Sequence, residues 1–285
     1  MKVSLNRSIV DNKEATIPAE SDGLFYGAGC FETFTSYKGK FLHLDRHVQR
    51  LNDAVTYLAG MAGDAFVEEL LRSEITDLLE ANRLSDARSK IRIQVSLSGR
   101  TGYSQPDSTS PVLFTLITAQ EIVDRSPEPL SLASVGTTVV PASCRPTHFK
   151  LSNMVHYRQA AIEAKGKGAD DALMFTVAGN VAETSIANIF WEKKGTVFTP
   201  SAACDILPGI TRSVLMQLCK KMDAEIREGT YSASEIGRAS QVWICNSVKE
   251  LAWVSSINNR PYPTESALRD EIMHHFDIYK RENLK

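Results

Sequence analysis

The sequence predicts an α+β protein of two domains, and three observations lead to that fold class. Runs of alternating apolar residues, typical of strands, mix with runs whose apolar residues recur every three or four positions, typical of helices. These two kinds of run do not alternate as strictly as in a doubly wound parallel sheet. A polar stretch with two prolines, at 124–129, separates two strand patterns. We therefore expect a first domain at 1–123, a linker at 124–130 and a second domain at 131–285.

The first domain is expected to contain short strands and two amphipathic helices. Leu44, Val48 and Leu51 begin an apolar stripe at helical spacing, whereas Ile91 and Ile93 alternate with polar residues as in a half-buried strand. The predicted elements are short strands and turns over 1–42, helices over 44–58 and 64–82, and strands over 90–97 and 111–118.

The second domain is expected to mix strands and helices in the same way. Gly179 and Asn180 give a turn signal between two strand patterns, and Pro208 and Gly209 precede a helical one. The predicted strands cover 131–140, 171–177, 188–192 and 241–246, and the predicted helices cover 153–165, 211–222 and 264–280.

Composition and charge exclude several classes of protein. The chain has 285 residues, of which 43% are hydrophobic and 23% charged, so a collagenous, coiled-coil or wholly disordered chain is excluded. Lys and Arg number 32 against 34 Asp and Glu, which gives no electrostatic reason to expect nucleic-acid or membrane binding. No apolar run approaches the length of a membrane span.

The N-terminus, the cysteines and the histidines indicate a cytoplasmic protein without a metal. The first residues contain no apolar segment typical of a signal peptide. The five cysteines are odd in number and widely spaced, which argues against a disulfide framework and a structural zinc site. The six histidines form no spacing typical of metal ligands.

Three segments of the second half carry residues suited to one chemistry. Lys150 stands at a strand-to-helix junction, where partial burial would make its amine a nucleophile, although a lone lysine is usually a solvated surface residue. Glu183 precedes an apolar strand and is either a turn residue or a buried partner of a cation. Thr211 opens a helix after Gly209, which is either an ordinary helix start or an anion site.

Together these three segments indicate pyridoxal 5'-phosphate. This cofactor requires a lysine that can form a Schiff base, a carboxylate that keeps its ring nitrogen protonated, and a cradle for its phosphate. The lysine also serves as the proton carrier of the reaction.

The sequence resembles the class IV aminotransferase family, the fold-type IV pyridoxal-phosphate enzymes, over about residues 22–262. The resemblance is carried by motifs in a specific order and spacing: YGAGCFET, LDRHVQRL, FKLSN, GNVAETSIANIFW, ILPGITR and VWICNSVKEL. It implies a small α/β sandwich-like N-terminal domain and a larger C-terminal pseudo-barrel domain. It also implies a homodimer, in which the apolar segment GLFYGAGCF would fit an interface.

The resemblance assigns a role to each matching residue. Lys150 is similar to the family's Schiff-base lysine and Glu183 to the partner of the pyridine nitrogen. Arg50 is similar to the phosphate-binding arginine, and Leu207 to the leucine packed on the cofactor ring. The remaining phosphate contacts fall to Ile210, Thr211 and Ser247. Candidate substrate-binding residues are Tyr26, Phe31 and Arg100.

Within the family, the sequence is most similar to the 4-amino-4-deoxychorismate lyases, which release pyruvate and 4-aminobenzoate in folate biosynthesis. GCFETF, FKLSN, WICNS and the loop SGRTGYSQP resemble the lyase versions. Branched-chain aminotransferases usually have a tyrosine where Met154 stands, and D-amino acid transaminases have an arginine where Leu97 stands. Lyases, however, often have arginines at the positions of Thr35 and Leu97, so a branched-chain or D-amino acid aminotransferase stays the alternative. A cofactor-binding module without turnover is a further alternative, disfavoured because Lys150 is retained.

Overall fold

The computed structural model describes residues 1–60, 64–99, 102–104, 113–123 and 128–285. The chain divides into two compact units. The first unit consists of Met1–Asp124, Phe149–Asn153 and Asn283–Lys285, and the second of Arg125–His148 and Met154–Glu282. The predicted linker at 124–130 lies largely outside the described residues. The sequence assigns 149–153 to the second domain, whereas in the structure this segment groups with the first unit.

The first unit contains a six-stranded sheet whose order is β2-β1-β6-β5-β3-β4. Its strands are β1 (Lys2–Leu5), β2 (Ser8–Asp11), β3 (Gly29–Tyr37), β4 (Lys40–Phe41), β5 (Arg88–Leu97) and β6 (Leu113–Glu121), and its helices are α1 (Asp22–Phe25), α2 (Leu44–Ala59) and α3 (Glu68–Ala81). All of the strand pairs are antiparallel. The apolar stripe of α2 is buried as predicted, at Leu44, Val48, Leu51 and Val55, against the core face of β3 and β5.

The second unit contains a nine-stranded mixed sheet, in which β15 pairs with β14 beside the path β12-β11-β10-β13-β14-β7-β8-β9. Its strands are β7 (Leu130–Ser134), β8 (Asp171–Phe175), β9 (Val181–Thr184), β10 (Asn188–Lys193), β11 (Thr196–Pro200), β12 (Ile226–Gly229), β13 (Gln241–Asn246), β14 (Glu250–Ile257) and β15 (Arg260–Pro261). Its helices are α4 (Val155–Gly166), α5 (Ile210–Lys221), α6 (Ala233–Ile236) and α7 (Ala267–Asn283), with a short 3-10 helix at Ala202–Cys204.

The predicted α+β class is confirmed, and three local expectations are corrected. The strand expected over 131–140 ends at Ser134, because the Glu163 carboxylate accepts the amide N–H groups of Gly136 and Thr137. The segment before β3 contains the helical turn α1, which Ser21 caps by accepting the N–H of Leu24.

The third correction concerns α3, which begins at Glu68 rather than at Asp64, where the sequence places its start.

Two further observations concern membrane-spanning helices and the cysteines. Within the described ranges, no helix is long and apolar enough to cross a membrane. The five cysteines are all free thiols, and four of them are buried.

Candidate active site

Lys150 is held in the first unit by a short segment that pairs with the start of β3. The N–H of Phe31 donates to the carbonyl oxygen of Lys150 at 2.9 Å, and the N–H of Ser152 donates to the carbonyl oxygen of Gly29 at 2.8 Å. The Lys150 amine lies 4.7 Å from the centroid of the Phe31 ring. The backbone that carries the lysine is therefore held by this pairing, and the amine is placed beside an aromatic ring, unlike that of a solvated surface lysine.

Gly29 permits this close pairing. A Cβ atom at this position would lie 2.5 Å from the carbonyl oxygen of Val95 and 3.0 Å from the hydroxyl of Ser152. Both distances are shorter than ordinary van der Waals contacts, and the first involves backbone that cannot move aside. The glycine in the motif GCFET is thus required for the position of the lysine segment.

Arg92 is a further cation at the Phe31 ring and was not predicted. Its guanidinium carbon lies 3.8 Å from the centroid of the Phe31 ring, and its Nη2 donates to Gln94 at 2.9 Å. Burial lowers the pKa of Arg92 from its usual value. The alternation of the strand pattern could have indicated Arg92, because this residue stands on the polar face of β5. In the sheet it lies opposite Thr33 of β3.

Arg50 belongs to a buried cluster with Glu32 and His47. Arg50 donates to both carboxylate oxygens of Glu32, from Nε at 2.6 Å and from Nη2 at 2.9 Å, and His47 Nδ1 donates to Glu32 at 2.7 Å. Burial alone would raise the pKa of the Glu32 carboxyl, but Arg50 and His47 outweigh burial and lower it to about 2. Burial, with the charges of Arg50 and Lys150, outweighs Glu32 and lowers the pKa of His47 below its usual value, so His47 is neutral at pH 7.

The cluster explains why Arg50 differs from a solvated helix residue. Burial alone would lower the pKa of Arg50, but Glu32 outweighs burial and raises it. The guanidinium is therefore a permanent cation held in one orientation by a two-point ion pair. The charge of Lys150 also acts on His47, which places the lysine within electrostatic range of the cluster.

Glu183, in the second unit, is a buried carboxylate held by three donors. Its Oε1 accepts the phenol of Tyr157 at 2.5 Å and the N–H of Leu207 at 3.2 Å, and its Oε2 accepts the amide of Asn188 at 3.0 Å. Asn188 also donates to the carbonyl oxygen of Leu207 at 2.8 Å. These contacts exclude the turn-residue interpretation and favour a carboxylate kept charged for a cationic partner.

The start of α5, also in the second unit, provides donors for an anion. Its N-cap, Gly209, has no side chain to satisfy the amide N–H groups of the first turn. The hydroxyl of Thr211 lies 3.3 Å from that of Ser247, and Thr211 is buried. The structure thus brings Ile210, Thr211 and Ser247 together, and amides with two hydroxyls suit a phosphate.

The predicted residues form separate groups in the two units. The first unit joins Lys150, Phe31 and Arg50, together with the unpredicted Arg92, Glu32 and His47. The second joins Glu183, Leu207, Ile210, Thr211 and Ser247, together with the unpredicted Tyr157 and Asn188. Tyr26 is about half exposed at the end of α1, with its ring centroid 5.4 Å from that of Tyr103. Arg100 lies outside the described residues.

These residues fit pyridoxal phosphate. This cofactor requires an amine for attachment, a carboxylate for its ring nitrogen and donors for its phosphate. The chain offers an amine beside an aromatic ring, a buried carboxylate with three donors, a partly buried arginine, and a helix start with two hydroxyls. Tyr157 was not predicted because the resemblance draws attention to a tyrosine at position 154, where Met154 stands. Tyr157 lies three positions, or about one helical turn, beyond it. Asn188 was missed because the sequence shows it only as the first residue of a strand.

Comparisons with known proteins give a family match and several relatives. The family model described as amino-transferase class IV matches residues 29–257. The chain is 27% identical over 272 residues to the aminodeoxychorismate lyase of Bacillus subtilis, covering 93% of this chain and 89% of that protein. It is 27% identical over 260 residues to a putative branched-chain-amino-acid aminotransferase of Methanocaldococcus jannaschii, covering 91% and 89%.

One solved structure of similar fold contains a cofactor derivative. It is the branched-chain amino acid aminotransferase of T.th., complexed with N-(5'-phosphopyridoxyl)-L-glutamate, with a TM-score of 0.87, 23% identity, and coverage of 100% of this chain and 97% of that one.

Proposed function

The chain belongs to the class IV aminotransferase family of pyridoxal-phosphate enzymes, and on that premise we propose that it is a 4-amino-4-deoxychorismate lyase. The observation that carries this proposal is the contact of the Phe31 ring with both the amine of Lys150 and the guanidinium of Arg92. An aromatic side chain suits a ring-shaped substrate, and a guanidinium suits its carboxylate. The motifs GCFETF, FKLSN and WICNS and the relative from Bacillus subtilis support the same activity.

Each residue at the cofactor has one role in this proposed function. Lys150 holds the cofactor through its amine, and Glu183 keeps the ring nitrogen protonated. The phosphate is bound by Arg50, Ile210, Thr211 and Ser247, and Leu207 packs on the ring. When bound, pyridoxal phosphate supplies an electron-withdrawing ring that stabilises negative charge on the substrate carbon next to nitrogen.

The residues of the chain then perform the proton transfer. Once the substrate amine has displaced it from the cofactor, the freed Lys150 amine would remove the proton from the ring carbon that bears the nitrogen, for which its held backbone is an advantage. The enolpyruvyl group leaves from the substrate ring and becomes pyruvate on taking up a proton. The carbocycle becomes aromatic as 4-aminobenzoate, so the reaction is driven forward and requires no keto-acid acceptor.

The test is product release without an acceptor. Purified protein loaded with pyridoxal phosphate should release pyruvate and 4-aminobenzoate from aminodeoxychorismate alone. Lys150→Ala should abolish the release, and Lys165→Ala, which changes an exposed lysine of α4, should not. A protein that releases no pyruvate, but turns over leucine, isoleucine or valine only when 2-oxoglutarate is added, would refute the lyase proposal.

A branched-chain or D-amino acid aminotransferase is the second candidate. The relative from Methanocaldococcus jannaschii is as similar as the lyase from Bacillus subtilis, and Arg92 would suit the carboxylate of an amino acid equally well. A panel of branched-chain and D-amino acids with 2-oxoglutarate separates these activities from the lyase.

We also propose that the protein is a cytoplasmic homodimer. Four exposed apolar side chains of the first unit support the dimer, and we call them the apolar patch: Leu24, Phe25, Tyr26 and Tyr103. Their exposed fractions lie between 46% and 96%, and contiguous apolar surface commonly marks an interface. The free thiols of the five cysteines support a reducing compartment.

A further inference from the structure

Tyr157 donates to Glu183 from helix α4. Asn188 and the N–H of Leu207 also donate to Glu183, from β10 and from the chain before α5. At 2.5 Å, the phenol makes the shortest of the three hydrogen bonds. A hydrogen bond to a charged acceptor is both shorter and stronger than one between neutral groups. Of these three donors, Tyr157 is thus expected to act most strongly on this carboxylate.

The surroundings of Tyr157 keep its phenol a donor. Burial raises the pKa of Tyr157 well above its usual range, and the negative charge of Glu183 raises it further. Arg145 acts in the opposite direction and Asp205 in the same one, both more weakly. The ring of His156 lies against that of Tyr157, with centroids 4.3 Å apart, and burial with the charge of Arg145 lowers the pKa of His156 to about 4. At neutral pH the phenol and the imidazole are therefore both uncharged.

We infer that Tyr157 is a positioning residue that holds the Glu183 carboxylate deprotonated and fixed, and thereby keeps the proton on the cofactor's ring nitrogen. A hydrogen bond to the charged form of a carboxylate favours that form. Without the phenol, Glu183 competes better with the ring nitrogen for the proton between them. This inference rests on the proposed role of Glu183, and it holds for a lyase and an aminotransferase alike.

The chain offers a matched control in Tyr262. Tyr262 is a buried tyrosine of the second unit, and its phenol donates to the carbonyl oxygen of Ile236 at 3.2 Å. Tyr262→Phe and Tyr157→Phe each remove one hydroxyl and one hydrogen bond, but only Tyr157→Phe changes the contacts of Glu183.

The experiment is NMR of the holoenzyme loaded with pyridoxal phosphate that carries ¹⁵N at the ring position. Tyr157→Phe should move the ring-nitrogen signal from the position of the protonated ring toward that of the unprotonated ring, and Tyr262→Phe should leave it unchanged. With substrate, Tyr157→Phe should lower kcat about tenfold with little change in KM, as for loss of one hydrogen bond to a charged group. Tyr157→Met, which also lacks a donor, replaces Tyr157→Phe if that variant does not fold.

The outcomes distinguish this inference from the proposals on which it rests. An unchanged signal in Tyr157→Phe, or an equal change in Tyr262→Phe, overturns the role of Tyr157. If Glu183→Gln itself leaves the signal unchanged, the role of Glu183 and the inference fall together. A failure to release pyruvate from aminodeoxychorismate contradicts the lyase proposal alone, because the NMR signal does not depend on the substrate.

Discussion

Glu32 holds both Arg50 and His47 in the first unit. It receives both donors of Arg50 and the N–H of His47 while it is almost wholly buried. A buried ion pair is fixed only as long as both partners stay charged, since removal of one leaves an uncompensated charge. The orientation of Arg50, and with it the proposed phosphate contact, therefore depends on a carboxylate that the sequence shows only as the second residue of FET.

The pH dependence of stability tests this cluster. The ordinary pKa of a glutamate is 4.5 and that of folded Glu32 is about 2, so its contribution, on the order of 3 kcal/mol, is fully present above pH 4.5. It is lost as the pH falls from 4.5 toward 2. The lowered pKa of His47 acts in the same direction, because the unfolded chain binds the proton first below pH 6.5.

We predict that Glu32→Gln lowers the free energy of unfolding at pH 7 by a few kcal/mol, because Arg50 loses its carboxylate, roughly the cost of breaking a buried ion pair. The variant should also lose less stability than the natural protein between pH 4.5 and 2. Urea denaturation at several pH values measures both effects. Glu69→Gln, which changes an exposed residue of α3, is the control. Equal pH slopes in the two variants would contradict the assignment.

Individual residues could be predicted where they belong to a family motif. They could not be predicted where their role depends on a contact with a distant residue. Lys150, Glu183, Thr211 and Ser247 follow from the order of motifs. Tyr157 acts through its contact with a residue that lies 26 positions away, and no local pattern marks such a pair. The polar face of β5 does place Arg92 in the sequence pattern, but its position over Phe31 follows from the pairing of β3 with β5.

At the scale of elements, the turn before α5 connects the residues around Glu183 with the residues proposed to bind the phosphate. Gly209 has an ordinary backbone conformation, with φ at −67°, so no left-handed region is involved. A Cβ atom there would lie 2.2 Å from the Oδ1 atom of Asn188. Because Asn188 also donates to Glu183 and to the carbonyl oxygen of Leu207, any displacement of Asn188 disturbs both ends of the proposed cofactor site.

Gly209→Ala is therefore predicted to raise the Kd of pyridoxal phosphate by about tenfold to a hundredfold, since overpacking costs about 1–3 kcal/mol. Titration of the cofactor-free protein, followed by fluorescence, measures the change. Gly166→Ala, at the end of α4, has open space around the new methyl group and should bind the cofactor as the natural protein does. Equal Kd values for the two variants would contradict the close packing described here.

Elements with a clear period were predictable, and so were the largely buried strands β8, β10 and β13, whereas the short buried strand β9 was not. The stripe of α2 and the alternation of β5 each determine one buried face. All four residues of β9 are buried, so β9 shows no alternation. The predicted strand over 131–140 is too long because its apolar residues continue past Ser134, while the backbone there is held by Glu163. The pattern of apolar residues does not show where a side chain accepts hydrogen bonds from backbone N–H groups.

At the scale of the whole molecule, the apolar patch predicts the oligomeric state. Leu24→Glu places a charge among exposed apolar side chains and should convert the dimer to a monomer, because an interface does not tolerate a buried unpaired charge. Val177→Glu changes an apolar residue of the second unit that is 71% exposed and should leave the dimer intact. Light scattering during size-exclusion chromatography measures the mass of each variant. A dimeric Leu24→Glu variant would exclude the patch as the interface.

The α+β class and the family followed from the sequence, because the order of six motifs constrains the whole chain. The division of the chain into two units could be predicted from the sequence only in part. The segment at Phe149–Asn153 belongs with the first unit although its neighbours on both sides belong with the second, since backbone hydrogen bonds join it to β3. Such pairing between distant segments is not visible in local composition.

The central claim is that the amine of Lys150 holds pyridoxal phosphate. Borohydride converts the bond between an amine and an aldehyde into a stable one, so mass spectrometry of a digest of treated holoprotein locates the attachment. We predict the added cofactor mass on the peptide that contains Lys150, its absence in Lys150→Ala and its presence in Lys165→Ala. Attachment to a different lysine, or full turnover by Lys150→Ala, would contradict the claim.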